Sequence, residues 1–231
     1  MREDHLTTFI TPCVHCQQKL RVPVRACAIR VTCPKCRSHW IVFPYKIIDI
    51  AQGTPAWHDW RNQGLGASDA PAIMGENPWK SRDWLLNEKL NGPSFGSNRT
   101  MARGTELEPE ARSCYERVTG LKVRPACLQS IQFDWFKASV DGLASDGNSV
   151  VEIKCGESVY RHTASERQVP RYYYAQLQHI LAVTGLSKID FWCYLPGRPE
   201  VRLCIDRDNH YIDRLIKTEM EFWQEILRHR R

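Results

Sequence analysis

The sequence predicts an α/β protein, a mixed sheet flanked by helices and preceded by a small metal-knit module. Three observations carry this. Beyond residue 49, helix-like and strand-like stretches follow one another as α, β-β-β, α, β-β, α, an order that builds a mixed sheet with helices on its faces. Four of the ten cysteines form two CxxC pairs within the first 36 residues. The net charge of +6 is confined to residues 1–48, where eight Lys/Arg face two acids, whereas residues 49–231 are balanced. Two units follow from this reading, 1–48 and 49–231, and the length is ample for a sizeable core.

The composition excludes some classes. No apolar run is long enough to cross a membrane, and "MREDHLTTFI" lacks the basic-then-apolar pattern of a secretory leader. A cytoplasmic location is expected, where cysteines serve as thiols or metal ligands rather than disulfides. The local basic charge suits an anionic polymer such as nucleic acid.

In the front module, "CVHC" (13–16) and "CPKC" (33–36) are separated by sixteen residues. Four thiolates at Cys13, Cys16, Cys33 and Cys36 close a tetrahedral shell around Zn²⁺, leaving no open coordination position and no vacancy for His15 or His39. Between them "LRVPVRACAIRVT" reads as short strands interrupted by Pro23, and the module ends near "WIVFP" (40–44). A piece this small needs the metal as folding energy. The sequence shows no evident internal repeat.

In the second unit, Ser68-Asp69 suits the start of a helix at "APAIMG". "RGTELEPEARSCYERVTG" (103–120) predicts a helix with Thr105 as N-cap, a stripe of Leu107, Ala111, Cys114, Tyr115 and Val118, and Gly120 as its stop. "LQSIQFD", "FKASVDGLAS" and "VVEIKC" predict strands, the last two joined through "SDGNS". "RYYYAQLQHILAVTG" predicts a helix with at least one tyrosine facing the core. "IDFWCYL" and "VRLCID" predict strands, and "NHYIDRLIKTEMEFWQEIL" a closing helix. Trp57, Trp60, Trp79 and Trp84 are candidates for base stacking or for a wedge at a duplex end, with core packing expected for most of them.

The stretch "SVVEIKC" carries the chemistry. Residues two apart in a strand point the same way, so Glu152 and Lys154 set a carboxylate beside an ammonium, while Val151, Ile153 and Cys155 form the other face. Asp141, at the end of the preceding strand, brings a second carboxylate. Two such oxygens suit Mg²⁺ or Mn²⁺, which polarises a phosphoryl group and activates water. Lys154 orients that water or balances charge on the phosphate.

"SVDGLASDGNSVVEIKC" resembles the catalytic hairpin of the phage lambda-type exonucleases, the YqaJ-like viral recombinases, within the PD-(D/E)xK nuclease superfamily. The similarity continues in chain order through "AWHDWRNQGLGASDAP", "RGTELEPEARSCYERVTG" and "YYYAQLQHILAVTG", covering roughly residues 52–195; the cysteine module lies outside it. Val140 stands where the superfamily has its proline. The resemblance implies a restriction-endonuclease-like core with Asp141, Glu152 and the Ile153 carbonyl as Mg²⁺ ligands and Lys154 as the catalytic lysine. It implies that Glu108 joins the site from its helix, although Thr105-x-x-Glu108 also reads as a capping box and Glu106 and Glu110 compete for the role. It turns Gln176 toward the same site. It implies a 5′-phosphate pocket from Arg61 and Ser68, with Ser139 and Arg161 as further candidates.

The implied activity is a 5′→3′ exonuclease that degrades one strand from double-stranded DNA ends and leaves a 3′ overhang. A ring-shaped homotrimer, a single-strand-annealing partner and a phage or prophage origin in a bacterial host come with it. The alternatives are a structure-specific or nicking endonuclease on the same core, and a non-enzymatic zinc-ribbon adaptor for nucleic acid.

Overall fold

The computed structural model describes residues 8–92 and 99–230. Arg2, Glu3 and Asp4, counted above in the charge of the first segment, lie outside the described residues.

Two hairpins open the chain. β1 (Thr8–Pro12) pairs antiparallel with β2 (Lys19–Pro23), and β3 (Ile29–Thr32) with β4 (His39–Val42). A CxxC knuckle joins the strands of each hairpin, and the two knuckles share one backbone design. Cys13 N–H donates to Gln18 O at 2.8 Å and Cys33 N–H to Ser38 O at 2.8 Å. Gln17 N–H returns to Cys13 O at 3.0 Å and Arg37 N–H to Cys33 O at 2.9 Å. Gln17 and Arg37 both adopt the left-handed conformation, at φ 59° and 60°. The module is therefore a repeat of two knuckle hairpins, contrary to the expectation of none. The repeat resides mainly in backbone geometry; in the side chains it shows in the cysteines and in Val22 and Val42, each six residues beyond the second cysteine of its knuckle.

The next strand, β5 (Tyr45–Ile48), leaves the hairpins and pairs with β7 of the main sheet. The last four residues of segment 1–48 thus belong to the larger unit. After it come α1 (Pro55–Asn62), β6 (Leu65–Gly66), α2 (Ala70–Ile73), α3 (Arg82–Asn91), α4 (Arg99–Thr119), β7 (Val123–Ser130), β8 (Phe136–Ala144) and β9 (Val150–Lys154). The chain ends with α5 (Glu157–Glu166), α6 (Arg171–Thr184), β10 (Lys188–Cys193), β11 (Val201–Asp206) and α7 (Asn209–His229). The sheet runs β11-β10-β9-β8-β7-β5, with β6 added beside β8. The β9–β10 and β6–β8 pairs are parallel and the others antiparallel. This is the mixed α/β sheet that the sequence predicts.

Strand β8 positions the site. One of its edges is taken by β7. The other is shared: β6 pairs only with Phe136 and Lys137, and β9 only with Gly142 and Leu143. Residues 138–141 are left without a ladder partner on that edge, so the sheet opens a notch where Ser139 and Asp141 sit. Gly142 lets the strands close up beside it, since a Cβ there would lie 2.6 Å from Val151 Cγ1.

Helices α4 and α6 pack against the strands that carry the charges. Val151 and Ile153 join Ala111, Cys114 and Tyr115 of α4 and Trp192 of β10 in one apolar cluster. Val150 belongs to the main core with Ala175, Leu177, Ile180 and Leu181 of α6. The sequence reading of α4 needs two corrections. The helix already runs at Arg99, so Thr105 lies inside it and cannot be its N-cap. Val118, placed in the buried stripe, is 55% exposed. Elements α1, α3, α5, β5 and β6 had no counterpart in the sequence reading, and 131–134 of "LQSIQFD" leave the strand.

Helix α6 ends at Gly185, whose φ of +69° favours glycine. A Cβ there would lie 2.8 Å from both Cys27 Cα and Pro44 Cγ. The loop between the two knuckle hairpins is thereby seated on the end of a core helix. Gly185→Ala is expected to cost about 2–4 kcal/mol, from left-handed strain plus overpacking. Thermal unfolding checks this; an unchanged Tm would contradict the seating.

Candidate active site and four-cysteine centre

The ligand atoms of Cys13, Cys16, Cys33 and Cys36 all lie within 4.8 Å of one another. Cys13 Sγ is 3.6 Å from Cys36 Sγ, and Cys16 Sγ is 3.6 Å from Cys33 Sγ, so each close pair spans the two knuckles. His15 N–H points at Cys13 Sγ at 3.5 Å, a contact that favours a thiolate. His15 and His39 are exposed and outside the quartet. The cluster is consistent with structural Zn²⁺. Among the described residues it is the one group of three or more His, Cys or acidic side chains already close enough to ligate a metal.

The second centre is a cleft of about 1010 Å³ at the notch beside β8. Its walls include Glu108 of α4, Asp141 of β8, Glu152 of β9 and Gln176 of α6. Glu152 is 2% exposed. Its Oε1 accepts from Lys154 Nζ at 2.6 Å and from Gln176 Nε2 at 2.6 Å. Its Oε2 is buried and has no hydrogen-bond partner. Asp141 Oδ2 accepts the Ile153 N–H at 2.7 Å, so this carboxylate occupies the ladder position that β8 vacates, and the Ile153 peptide is drawn into the cluster. Arg112 fastens the other side, with Nε on Asp141 O at 2.7 Å and Nη2 on Glu108 Oε1 at 2.5 Å.

Of the acids that compete on α4, Glu108 reaches the cleft. Glu110 accepts from Tyr194 O–H, and Glu106 is exposed. Glu108 is therefore not half of a capping box.

The charges in this cluster strain against burial. Burial raises the Asp141 carboxyl well above its ordinary value, and Glu152 and Glu108 push it further. Burial, with Glu152, also raises Glu108, against the pull of Arg112. For Lys154, burial alone would lower the pKa; Glu152, Tyr173 and Asp141 outweigh it and hold the ammonium above its usual range. Three crowded carboxylates, one with an orphaned oxygen, fit a hard divalent cation. The carboxylates would draw closer together to share it.

A second set of polar groups stands on another part of the cleft, among apolar lining residues such as Ala67, Pro125 and Ala138. Thr54 caps α1, and its Oγ1 accepts the Trp57 N–H. Arg61, in the last turn, donates to Ser68 Oγ at 2.7 Å with its guanidinium 4.5 Å from the Trp57 ring centre. Trp57 Nε1 donates to Ser139 Oγ at 2.8 Å. Arg61, Ser68 and Ser139 therefore share one wall of the cleft. Arg161 does not join them: it lies on α5, 72% exposed, paired with Glu157 one turn away.

Sequence reasoning missed Lys137, which also lines the cleft, 2% exposed, with Nζ on Trp60 O at 2.6 Å. Burial, with the nearby charge of Lys89, lowers its pKa to about 8. The signal was present, because Lys137, Ser139 and Asp141 alternate on one face of β8. Asp69 and Lys89 form a buried ion pair at 2.7 Å beneath this wall, and Asp69 Oδ2 also takes the Gly66 N–H. Asp69 makes no side-chain cap to α2, although it stands at the predicted start of that helix. Of the four tryptophans, Trp60 is buried and bonded to Gln129, Trp57 is half-buried in the cleft, and Trp79 and Trp84 are exposed, so core packing is the exception.

The YqaJ-like viral recombinase domain matches residues 56–187 of this chain. An uncharacterized protein, YqaJ of Bacillus subtilis, is 30% identical over 175 residues, covering 73% of this chain and 55% of that protein. The chain thus spans about half the length of that curated relative. Among solved structures, the alkaline exonuclease LHK-Exo of Laribacter hongkongensis superposes with a TM-score of 0.67 at 28% identity, over 75% of this chain and 92% of that one. The same protein in complex with dAMP gives 0.67 at 30% identity with the same coverage. A phage-related exonuclease from Haemophilus somnus gives 0.57 at 14% identity over 73% and 96%, a likeness of fold alone. No described helix is long and apolar enough to cross a membrane.

Two outcomes are expected. Metal analysis should find one Zn²⁺ per chain, lost in Cys33→Ser; a full zinc complement in that variant would contradict the quartet. For Asp69, burial would raise the pKa, but Lys89 and Arg61 hold it down at about 2. A depressed carboxylate stabilises the fold above its unfolded pKa, and that contribution fades as pH falls from about 4 toward 2. Asp69→Asn should therefore cost about 3–5 kcal/mol at pH 7, with the deficit shrinking through that window. A Tm deficit that is constant with pH would contradict this.

Proposed function

This chain belongs to the YqaJ-like viral recombinase family, and we propose that it is a metal-dependent 5′→3′ exonuclease acting on double-stranded DNA ends. The observation that supports this best is the sharing of one cleft by the Glu108, Asp141, Glu152 and Gln176 cluster and the Arg61, Ser68 and Ser139 wall. A cluster that holds a cation, beside a wall of donors suited to phosphate, fits hydrolysis of a diester next to a bound terminal phosphate. The dAMP complex of LHK-Exo supports the reading, since dAMP is a deoxynucleoside monophosphate.

In this reading Asp141 and Glu152, with the Ile153 carbonyl and Glu108, would hold Mg²⁺ or Mn²⁺, which would supply Lewis-acid stabilisation of the phosphoryl group. Lys154 keeps its proton and sets a positive charge beside the attacked phosphate. Gln176 and Lys154 fix Glu152 through Oε1, which would leave Oε2 available to a cation. Arg61 and the serine hydroxyls hold the 5′-phosphate, with the ring of Trp57 keeping the guanidinium in place. The product is a 3′ single strand suited to annealing-based recombination, and a single-strand-annealing protein is the expected partner. A ring-shaped homotrimer would keep the enzyme on its DNA, and a phage or prophage in a bacterial cytoplasm is the fitting setting. The cysteine module adds a basic surface for DNA or a protein partner.

Glu152→Ala should lower hydrolysis of linear duplex by at least about 10²-fold while leaving DNA binding within a few fold; retained turnover would remove Glu152 from the site. End-labelled duplex should be digested faster with a 5′-phosphate than with a 5′-hydroxyl, and Arg61→Ala should erase the difference. Equal rates on the two ends would overturn the phosphate wall. Rapid cutting of covalently closed circles would favour an endonuclease instead.

A further inference from the structure

A row of aromatic rings runs from the surface to the Glu152–Lys154 pair, outside the wall that holds Arg61. Trp79 is 67% exposed. Its ring centre lies 4.7 Å from that of Tyr172, edge to face. Tyr172 lies 4.7 Å from Tyr173, and the Lys154 ammonium sits 4.7 Å from the centre of the Tyr173 ring. The row therefore ends on the lysine that donates to Glu152.

The backbone that carries Trp79 is held in place. Asn77 Oδ1 accepts both the Trp79 N–H at 2.9 Å and the Lys80 N–H at 3.0 Å, and Pro78 fixes the chain between them. Ser81 then caps α3, so the main chain of Trp79 is set between a side-chain-closed turn and a helix start. Tyr172 stands in the first turn of α6, where it follows the exposed Arg171. Among the described residues no ion pair is formed by Arg171. An outward-facing indole beside a tyrosine, with Arg171 preceding that tyrosine in the same helical turn and the Lys154 ammonium at the inner end, matches the needs of a single nucleic-acid strand. Rings stack bases and cations follow the backbone.

We propose that Trp79 and Tyr172 form a stacking platform for an unpaired nucleobase of the strand that reaches the Glu152–Lys154 site. The platform rests on the nuclease reading only for the purpose it serves; base stacking itself needs no hydrolysis.

The test is equilibrium binding of a 5′-hydroxyl oligothymidylate of about 12 nucleotides to the full chain without added Mg²⁺ or Mn²⁺, followed by tryptophan fluorescence and by anisotropy of a labelled oligonucleotide. Trp79→Ala is expected to weaken binding roughly 5- to 100-fold, and Tyr172→Ala to weaken it less. Trp79→Phe should largely keep the affinity while losing most of the quench. Trp84→Ala, which alters another exposed indole, should change neither. Wild-type affinity in Trp79→Ala, or an undiminished quench in Trp79→Phe, would overturn the platform. With Mg²⁺ and linear duplex, Trp79→Ala should raise KM and leave kcat near wild type. If even the wild-type protein fails to hydrolyse DNA, the nuclease reading falls, while the binding and quench measurements still decide the platform.

Discussion

A carboxylate shut away from water must be answered by donors, and Glu152 is answered on one oxygen only. Lys154 and Gln176 both bond Oε1, and Oε2 is left buried without a partner. That unequal arrangement is costly in a folded protein unless something else completes it. It also explains why three elements converge here: β9 supplies the acid and the lysine, α6 the amide, and β8 a second acid bonded to the backbone of β9. Were Glu152 replaced by an apolar side chain, Lys154 and Gln176 would each lose a bond.

The notch in β8 is the architectural counterpart of that chemistry. A strand that shares one edge between two short partners leaves backbone between them uncovered, and buried backbone groups must be satisfied somehow. Asp141 does this for Ile153 and in the same stroke places its carboxylate beside Glu152. On the far side of the cleft, α1 delivers Arg61 to Ser68, over a foundation of Asp69 and Lys89 that is wholly internal. The four-cysteine module is tied to the opposite end of α6 through Gly185, so the helix that contributes Gln176 also carries the module.

Much of this was legible in the sequence because it depends on local periodicity. Glu152 and Lys154 share a face by the two-residue repeat of a strand, and the cysteine pairs announce themselves by spacing. The long apolar helix α6 and the closing helix α7 follow from composition. What escaped was set by tertiary contacts. The two-residue β6 exists only through its partner β8, and β5 reads as part of the cysteine module until β7 is seen beside it. The start of α4 was misplaced because Thr105 and Glu108 satisfy a capping pattern that the longer helix overrides. Lys137 shares a strand face with Ser139 and Asp141, but its burial over the Trp60 ring and its bond to a backbone carbonyl are set by tertiary packing. Arg161 was the reverse case, a plausible phosphate ligand by position that pairs with its helical neighbour Glu157 instead.

The proposed hydrolysis requires Glu152 and Asp141 to hold a divalent cation together. Titration of Mn²⁺ into the zinc-loaded protein, with free Mn²⁺ read by electron paramagnetic resonance, tests it without DNA or turnover. Saturable Mn²⁺ binding is expected, competed away by Mg²⁺ and abolished or greatly weakened in both Glu152→Ala and Asp141→Asn. Binding that survives unchanged in both variants would contradict it.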